Sequence, residues 1–246
     1  MKKLFLKHIT SYTYLNPVVE SSNKILLYPY NDINQQVVSH EIEISENPKI
    51  FTYLDNFNNR VGFFSYSLPH KKLVITSSAE IIKKKNEFPF SKLSANDQWT
   101  FYSKNDLNPN YIAFLRSKKF KFESEALGVI SDLKAKNDSP LELLLKLCNY
   151  IYNNFKYKKG VTDIYTSLDK VWEIKSGVCQ DFANVLIKLC NIIQIPARYV
   201  SGYIFTEKKY RGYNATHAWV EALIPGYGWV GLDPTNNIIS NENHIK

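Results

Sequence analysis

Gly177-Val178-Cys179-Gln180-Asp181-Phe182-Ala183 is the stretch on which the reading of this 246-residue chain turns. Gly177 is a turn former. Beyond it, apolar residues at Phe182, Val185, Leu186, Leu189, Cys190 and Ile193 follow the i, i+3, i+4, i+7, i+8 spacing of a helix with one buried face. The spacing predicts a core helix with Cys179 in its first turn. Free backbone N–H groups and the positive end of the helix dipole favour an anion there, the state in which a thiol is a nucleophile. The same position also suits a buried structural cysteine, and the choice between the two rests on what lies downstream.

Two later segments supply what an activated thiol needs. Thr216 to Leu223 and Gly228 to Thr235 both read as strands, and Ile224-Pro225-Gly226-Tyr227-Gly228 between them reads as a turn, so the pair is predicted to be an antiparallel hairpin. Any turn of about two to four residues puts Asp233 opposite His217 or about two positions diagonal to it, roughly 5–8 Å apart at Cβ. An acyl-transfer nucleophile requires a base, and the base requires a group that fixes its tautomer. Cys179, His217 and Asp233 match those three roles by residue type.

These segments, with Ile195-Pro196-Ala197-Arg198-Tyr199-Val200-Ser201-Gly202-Tyr203, His217-Ala218-Trp219-Val220-Glu221 and Gly228 to Asn236, resemble the catalytic core of the transglutaminase-like superfamily. Within it they are similar to a bacterial branch often described as cysteine proteases. The resemblance implies a papain/transglutaminase-like α+β core with a Cys179, His217, Asp233 triad. Related enzymes pair the cysteine backbone N–H with a side-chain donor to hold the oxyanion. Tyr157 and Trp172 are both candidates for that donor, and both also read as core packing. Asp181 is assigned to capping. Related bacterial chains commonly continue past a His-Ile like His244-Ile245 into another strand and loop, whereas this sequence stops at Lys246.

Residues 1 to about 85 carry alternation at Tyr12/Tyr14, Val38/His40/Ile42/Ile44, Arg60 to Tyr66 and Lys71 to Ile82, separated by turn-forming clusters. About six short strands are expected, in a small β-sandwich or barrel. Its landmarks, from His8 through Pro17-Val18, Leu27-Tyr28-Pro29 and Pro69-His70, resemble the N-terminal β-domain of the same bacterial branch. Family members have Gly where Asn58 stands, and Asn tolerates the left-handed conformation such a turn needs. No chemistry is assigned here, and His8, His40 and His70 read as structural or surface residues. The expected organisation is a β-domain over 1–86, a polar connecting segment over 87–110 and the catalytic core over 111–246. In the core, Ser139 as cap and Pro140 at the first helical position open a helix, and Ser167 or Asp169 caps a shorter one. Glu207 to Ala215 reads as a loop ahead of His217.

The formal charge of +8 comes from lysines spread over the chain, as in Lys83-Lys84-Lys85, Lys118-Lys119, Lys158-Lys159 and Lys208-Lys209. No nucleic-acid-binding motif accompanies them, so they read as a solvated surface, with no nucleic-acid partner. No apolar run reaches membrane-spanning length, and Lys7 and His8 interrupt the apolar start before it can serve as a signal peptide. Cys148, Cys179 and Cys190 are too few and too dispersed for a disulfide framework, and Cys148 and Cys190 fall on helical core stripes. A cytoplasmic location is expected, with no membrane partner, no metal and no organic cofactor. The expected activity is cysteine-dependent acyl transfer from an amide or isopeptide bond of a peptide or protein substrate, with hydrolysis favoured. A cross-linking amine transferase and a non-catalytic binding scaffold are the alternatives.

Overall fold

The computed structural model describes residues 1–85, 91–103, 109–115, 119–206, 210–211 and 216–246. The chain forms two compact units, Met1–Asn86 and Glu87–His244.

The first unit contains six strands, β1 (Lys2–Val18), β2 (Ser21–Ile25), β3 (Gln35–Ile44), β4 (Phe51–Leu54), β5 (Arg60–Tyr66) and β6 (His70–Lys83). They build two three-stranded antiparallel sheets, in the orders β1-β6-β3 and β2-β5-β4. Ile25, Ile44, Phe64, Tyr66, Leu73 and Ile75 form the core. β6 shows the two-residue period best: Leu73, Ile75, Ser77, Ala79, Ile81 and Lys83 alternate inward. That parity corrects the reading of Lys83 as a solvated lysine. Lys83 is buried, and its Nζ donates to Gln35 Oε1 at 3.3 Å. Asn58 has φ of 61°, the left-handed conformation expected of it.

The second unit contains α1 (Ala95–Ser103), α2 (Pro109–Ile112), α3 (Glu123–Leu133), α4 (Pro140–Asn154), β7 (Lys156–Tyr157), α5 (Leu168–Ile174), β8 (Ser176–Gly177), α6 (Cys179–Ile192), β9 (Ala197–Ile204), β10 (His217–Ile224), β11 (Gly228–Asp233), β12 (Ile238–Ile239) and β13 (His244–Ile245). The long strands form a sheet ordered β12-β11-β10-β9-β13, and α6 packs on β9 and β10. The α4 start obeys its local chemistry. Ser139 Oγ accepts the Glu142 N–H, the Glu142 carboxylate accepts the Ser139 N–H at 2.7 Å, and Pro140 occupies the first helical position. Its buried face carries Leu143, Leu144, Leu147, Cys148 and Ile151. Ser167 caps α5 through the Lys170 N–H.

The polar segment read as a connection contains α1, which belongs to the second unit. Tyr102 Oη donates to the Leu223 carbonyl at 2.7 Å inside the core, and Trp99 Nε1 donates to the Asp138 carbonyl at 2.7 Å. Only Gln98 and Tyr102 of this helix are buried, so it lacks the apolar stripe that would reveal it in sequence. Among the described residues no helix is long and apolar enough to cross a membrane. Most of the expected 207–215 loop lies outside the described residues.

Candidate active site

Cys179 is the first residue of α6 and is held there by a short polar device. β7 and β8 pair in parallel, Tyr157 opposite Gly177, and bring the chain to the helix start. Val178 is extended at φ −120° and ψ −174°. Asp181 folds back so that its Oδ2 accepts the Val178 N–H at 2.8 Å and the Thr162 hydroxyl at 2.7 Å. A Cβ at position 177 would lie 2.5 Å from that Oδ2, which is why glycine stands there. Asp181 is therefore a cap, as its place in the first turn suggested. The Cys179 N–H, at the first helical position, has no intrahelical acceptor. Cys148 and Cys190 differ from Cys179 in environment: both lie deep in the helical core, where burial pushes the Cys190 thiol up to about 12 and Cys148 well above the ordinary range.

The hairpin register supplies the partners. Val220 pairs with Leu232 and Ile224 with Gly228. Extended, this register sets Asp233 opposite Trp219 and diagonal to His217. His217 Nε2 lies 2.8 Å from Asp233 Oδ2, and both side chains are buried. Burial opposes the positive form of His217, but hydrogen bonding to Asp233 and then to Cys179, followed by the negative charges of the two groups, outweighs it and pushes the imidazole up to about 9. Nε2 is committed to Asp233. Nδ1 is buried with no other hydrogen-bond partner, so it is the nitrogen left for the Cys179 thiol, whose hydrogen-bonding influence on the ring follows that of Asp233. Trp219 stacks beside the His217 ring at 6.3 Å between centroids.

Asp233 is gripped from several sides. Oδ2 accepts from His217, from Asn236 Nδ2 at 2.8 Å and from His244 Nε2 at 3.4 Å; Oδ1 accepts the Thr235 N–H at 2.9 Å and the Asn236 N–H at 3.3 Å. Burial opposes its charge, yet the His217 and His244 hydrogen bonds hold the carboxyl well below the ordinary carboxylate range. Asn236 Oδ1 also accepts the Arg211 N–H at 2.9 Å, tying the segment ahead of His217 to the carboxylate. His217, Asp233 and His244 place potential ligand atoms within 4.8 Å of one another. His244 Nδ1 lies 3.2 Å from both the Asn241 N–H and Asn241 Oδ1, and its Nε2 faces Asp233 Oδ2 at 3.4 Å.

The two candidate oxyanion donors separate. Trp172 is fully buried among Phe120, Tyr150 and Phe155, with Lys175 Nζ 3.4 Å from its ring centroid. Tyr157 is half-buried against Phe182. Its phenol is pushed up by burial and by the negative charge of Cys179, and its backbone pairs with Gly177, two residues ahead of Cys179. The sequence assigns no site role to Thr162, Asn236 or His244. Asn236 falls inside the Asp-Pro-Thr-Asn segment and was within reach of a local reading, whereas Thr162 and His244 carry no local signal.

Residues 129–234 match the transglutaminase-like superfamily core, and residues 4–82 match the bacterial transglutaminase-like N-terminal region. A Mycobacterium leprae protein described as uncharacterised is 27% identical over all of this chain and 88% of its own length. A Pseudomonas aeruginosa protein-glutamine gamma-glutamyltransferase is 34% identical over 77 residues, 28% of this chain and 11% of that protein. A solved Cytophaga hutchinsonii structure, provisionally described as a cysteine protease, superposes with a TM-score of 0.72 over 98% of this chain and 83% of its own, at 20% identity. The chain thus carries a transglutaminase-like superfamily core at residues 129–234 behind a bacterial transglutaminase-like N-terminal region at residues 4–82.

Proposed function

We propose that this protein is a cysteine-dependent acyl-transfer enzyme acting on an amide or isopeptide bond of a peptide or protein, with Cys179 as nucleophile, His217 as acid–base and Asp233 as the group that orients it. The observation that carries the reading is the buried 2.8 Å contact between His217 Nε2 and Asp233 Oδ2, which leaves Nδ1 for a thiol at a helix N-terminus. The Cys179 thiolate attacks the carbonyl carbon, and the π electron pair moves onto oxygen. As the adduct collapses the C–N bond breaks, and the leaving nitrogen takes the proton from His217, giving an amine and a thioester. Water then passes a proton to His217 as it attacks the thioester, releasing the acid and restoring the thiolate–imidazolium pair.

Hydrolysis is favoured over amine transfer. A dedicated transferase must keep water from its thioester, which calls for an aromatic-lined amine channel. Of the aromatics Trp172, Trp219 and Tyr203 that could line such a channel, both tryptophans are fully buried and Tyr203 is half-buried. Amine transfer is the second reading, favoured by the 34% identity with the Pseudomonas glutamyltransferase. Mass spectrometry of a glutamine-bearing donor peptide incubated with excess cadaverine separates them. Ammonia release that cadaverine barely changes is the expected result, and mainly amine-coupled product would overturn the preference. The three unpaired cysteines fit a reducing compartment, in keeping with a cytoplasmic location.

Tyr157 is proposed as the side-chain oxyanion donor beside the Cys179 N–H. Tyr157→Phe is expected to lower kcat on the order of 10²-fold with little change in KM, because the donor acts mainly on the developing oxyanion. Steady-state kinetics on one donor peptide would check this, and unchanged kcat would remove Tyr157 from the role.

A further inference from the structure

His244 is a second buried imidazole on the carboxylate that serves His217. It sits at the start of β13, 1% exposed, packed edge-on against Trp219 at 5.2 Å and 6.3 Å from the His217 ring. A turn built on Asn241 sets its place: the His244 N–H donates to the Asn241 carbonyl at 3.0 Å, and Asn241 Oδ1 accepts the Asn243 N–H at 3.0 Å. The ring is addressed by the same residue. The Asn241 N–H lies 3.2 Å from Nδ1, and Asn241 Oδ1 also lies 3.2 Å from it. A singly protonated ring accepts from the amide, and a doubly protonated ring donates to the side-chain oxygen. In both states Nε2 keeps its proton toward Asp233 Oδ2, at 3.4 Å.

We propose that His244 is a positioning residue that shares Asp233 with His217 and thereby sets how tightly that carboxylate holds the His217 proton. The proposal rests on the acyl-transfer reading of Cys179, His217 and Asp233. Its physical basis is the division of one oxygen among donors. Oδ2 receives His217, Asn236 and His244, and each donor draws off negative charge that would otherwise act on its neighbours. Removal of the His244 N–H leaves a carboxylate that binds the imidazolium more strongly. His217 then keeps its proton to higher pH and gives it up less readily to the leaving nitrogen. The titratable or charged groups bearing on His217 are Cys179 from α6 and Asp233 from β11, with His244 from β13 acting through Asp233. A residue that only fills space beside Trp219 would have no such effect.

The test compares His244→Phe, which keeps a flat ring without a donor, with His244→Gln, which keeps an N–H near the Nε2 position. Each is followed by kinetics and by long-range proton–nitrogen NMR of the histidine rings in the intact chain. In the unmutated protein at neutral pH, His244 is expected as the Nε2–H tautomer. In His244→Phe the His217 midpoint should rise by about half a pH unit or more, and kcat should fall by about 10-fold at unchanged KM. His244→Gln should restore both. An Nδ1–H tautomer of His244, an unmoved His217 midpoint in His244→Phe, or a Gln variant that matches Phe would each overturn the proposal. Should Phe fail to fold, the wild-type tautomer and the Gln variant still decide it. Absence of amide turnover in the unmutated protein, with the ring titration shifted as described, would sink the acyl-transfer reading and leave the coupling standing.

Discussion

Cys179→Ala is expected to cut amide turnover by about 10⁴-fold or more while the protein stays folded, because every covalent step of the proposed reaction passes through this sulfur. The fold should survive for local reasons. The α6 start is held by Asp181, by Thr162 and by the absence of a side chain at Gly177, none of which involves the thiol. Loss of one nearly buried sulfur costs about 1 kcal/mol of packing, a fraction of a domain's stability. Circular dichroism and a thermal melt would check the fold, and turnover of a donor peptide would check the activity. A second readout is independent of turnover. Cys179 is one of the groups that raise the His217 imidazole, so the alanine variant should titrate His217 at lower pH than the unmutated protein. Turnover above a few per cent of wild type would end the nucleophile assignment.

The parts of this molecule legible in sequence are those whose determinants are local. The α6 stripe, the Ser139–Pro140–Glu142 start of α4 and the β10–β11 turn each sit within one short window, and each is found where its residues place it. The hairpin goes further: because strands pair residue against residue, a short turn alone sets Asp233 diagonal to His217. What stayed hidden depends on parity or on distant chain. Lys83 belongs to a lysine run, yet its place in the two-residue period of β6 sends it inward toward Gln35. α1 buries too little of itself to show a stripe, and its Tyr102 is explained only by a carbonyl 121 positions away. His244 has no meaning until the sheet order places β13 beside β9. The choice of Tyr157 as proposed oxyanion donor also needed three dimensions, since Tyr157 and Trp172 look alike in sequence and differ in what surrounds them.

Asp233→Asn is expected to lower kcat by between about 10² and 10⁴-fold and to move the alkaline limb of the pH–rate profile well below its wild-type position. In the proposed reaction the wild-type limb belongs to His217, as the group that protonates the leaving nitrogen, and is expected near the ring's value of about 9. The sign follows from the competing influences on that ring. Burial lowers it; Asp233 and Cys179 raise it. With the carboxylate charge gone, burial weighs more, and the imidazolium is lost at much lower pH. The amide also fits the cradle badly. Its oxygen placed at Oδ2 turns the amide nitrogen toward the Thr235 and Asn236 N–H groups, and the reverse placement turns that nitrogen toward His217, Asn236 and His244. Either way donors face donors in a buried site, at a cost of about 1–3 kcal/mol. The stability profile should change in the same direction. In the unmutated protein the raised His217 contributes stability that is full below pH about 6.5 and lost as pH rises through about 9. The depressed Asp233 contributes stability present above its ordinary pKa of about 3.9 and lost as pH falls through its lower folded value. The asparagine variant should lose both contributions and show a flatter dependence of melting temperature on pH. Melts from about pH 2 to 10, with kcat measured at each folded condition, would check this, and a wild-type alkaline limb in Asp233→Asn would remove Asp233 from the role.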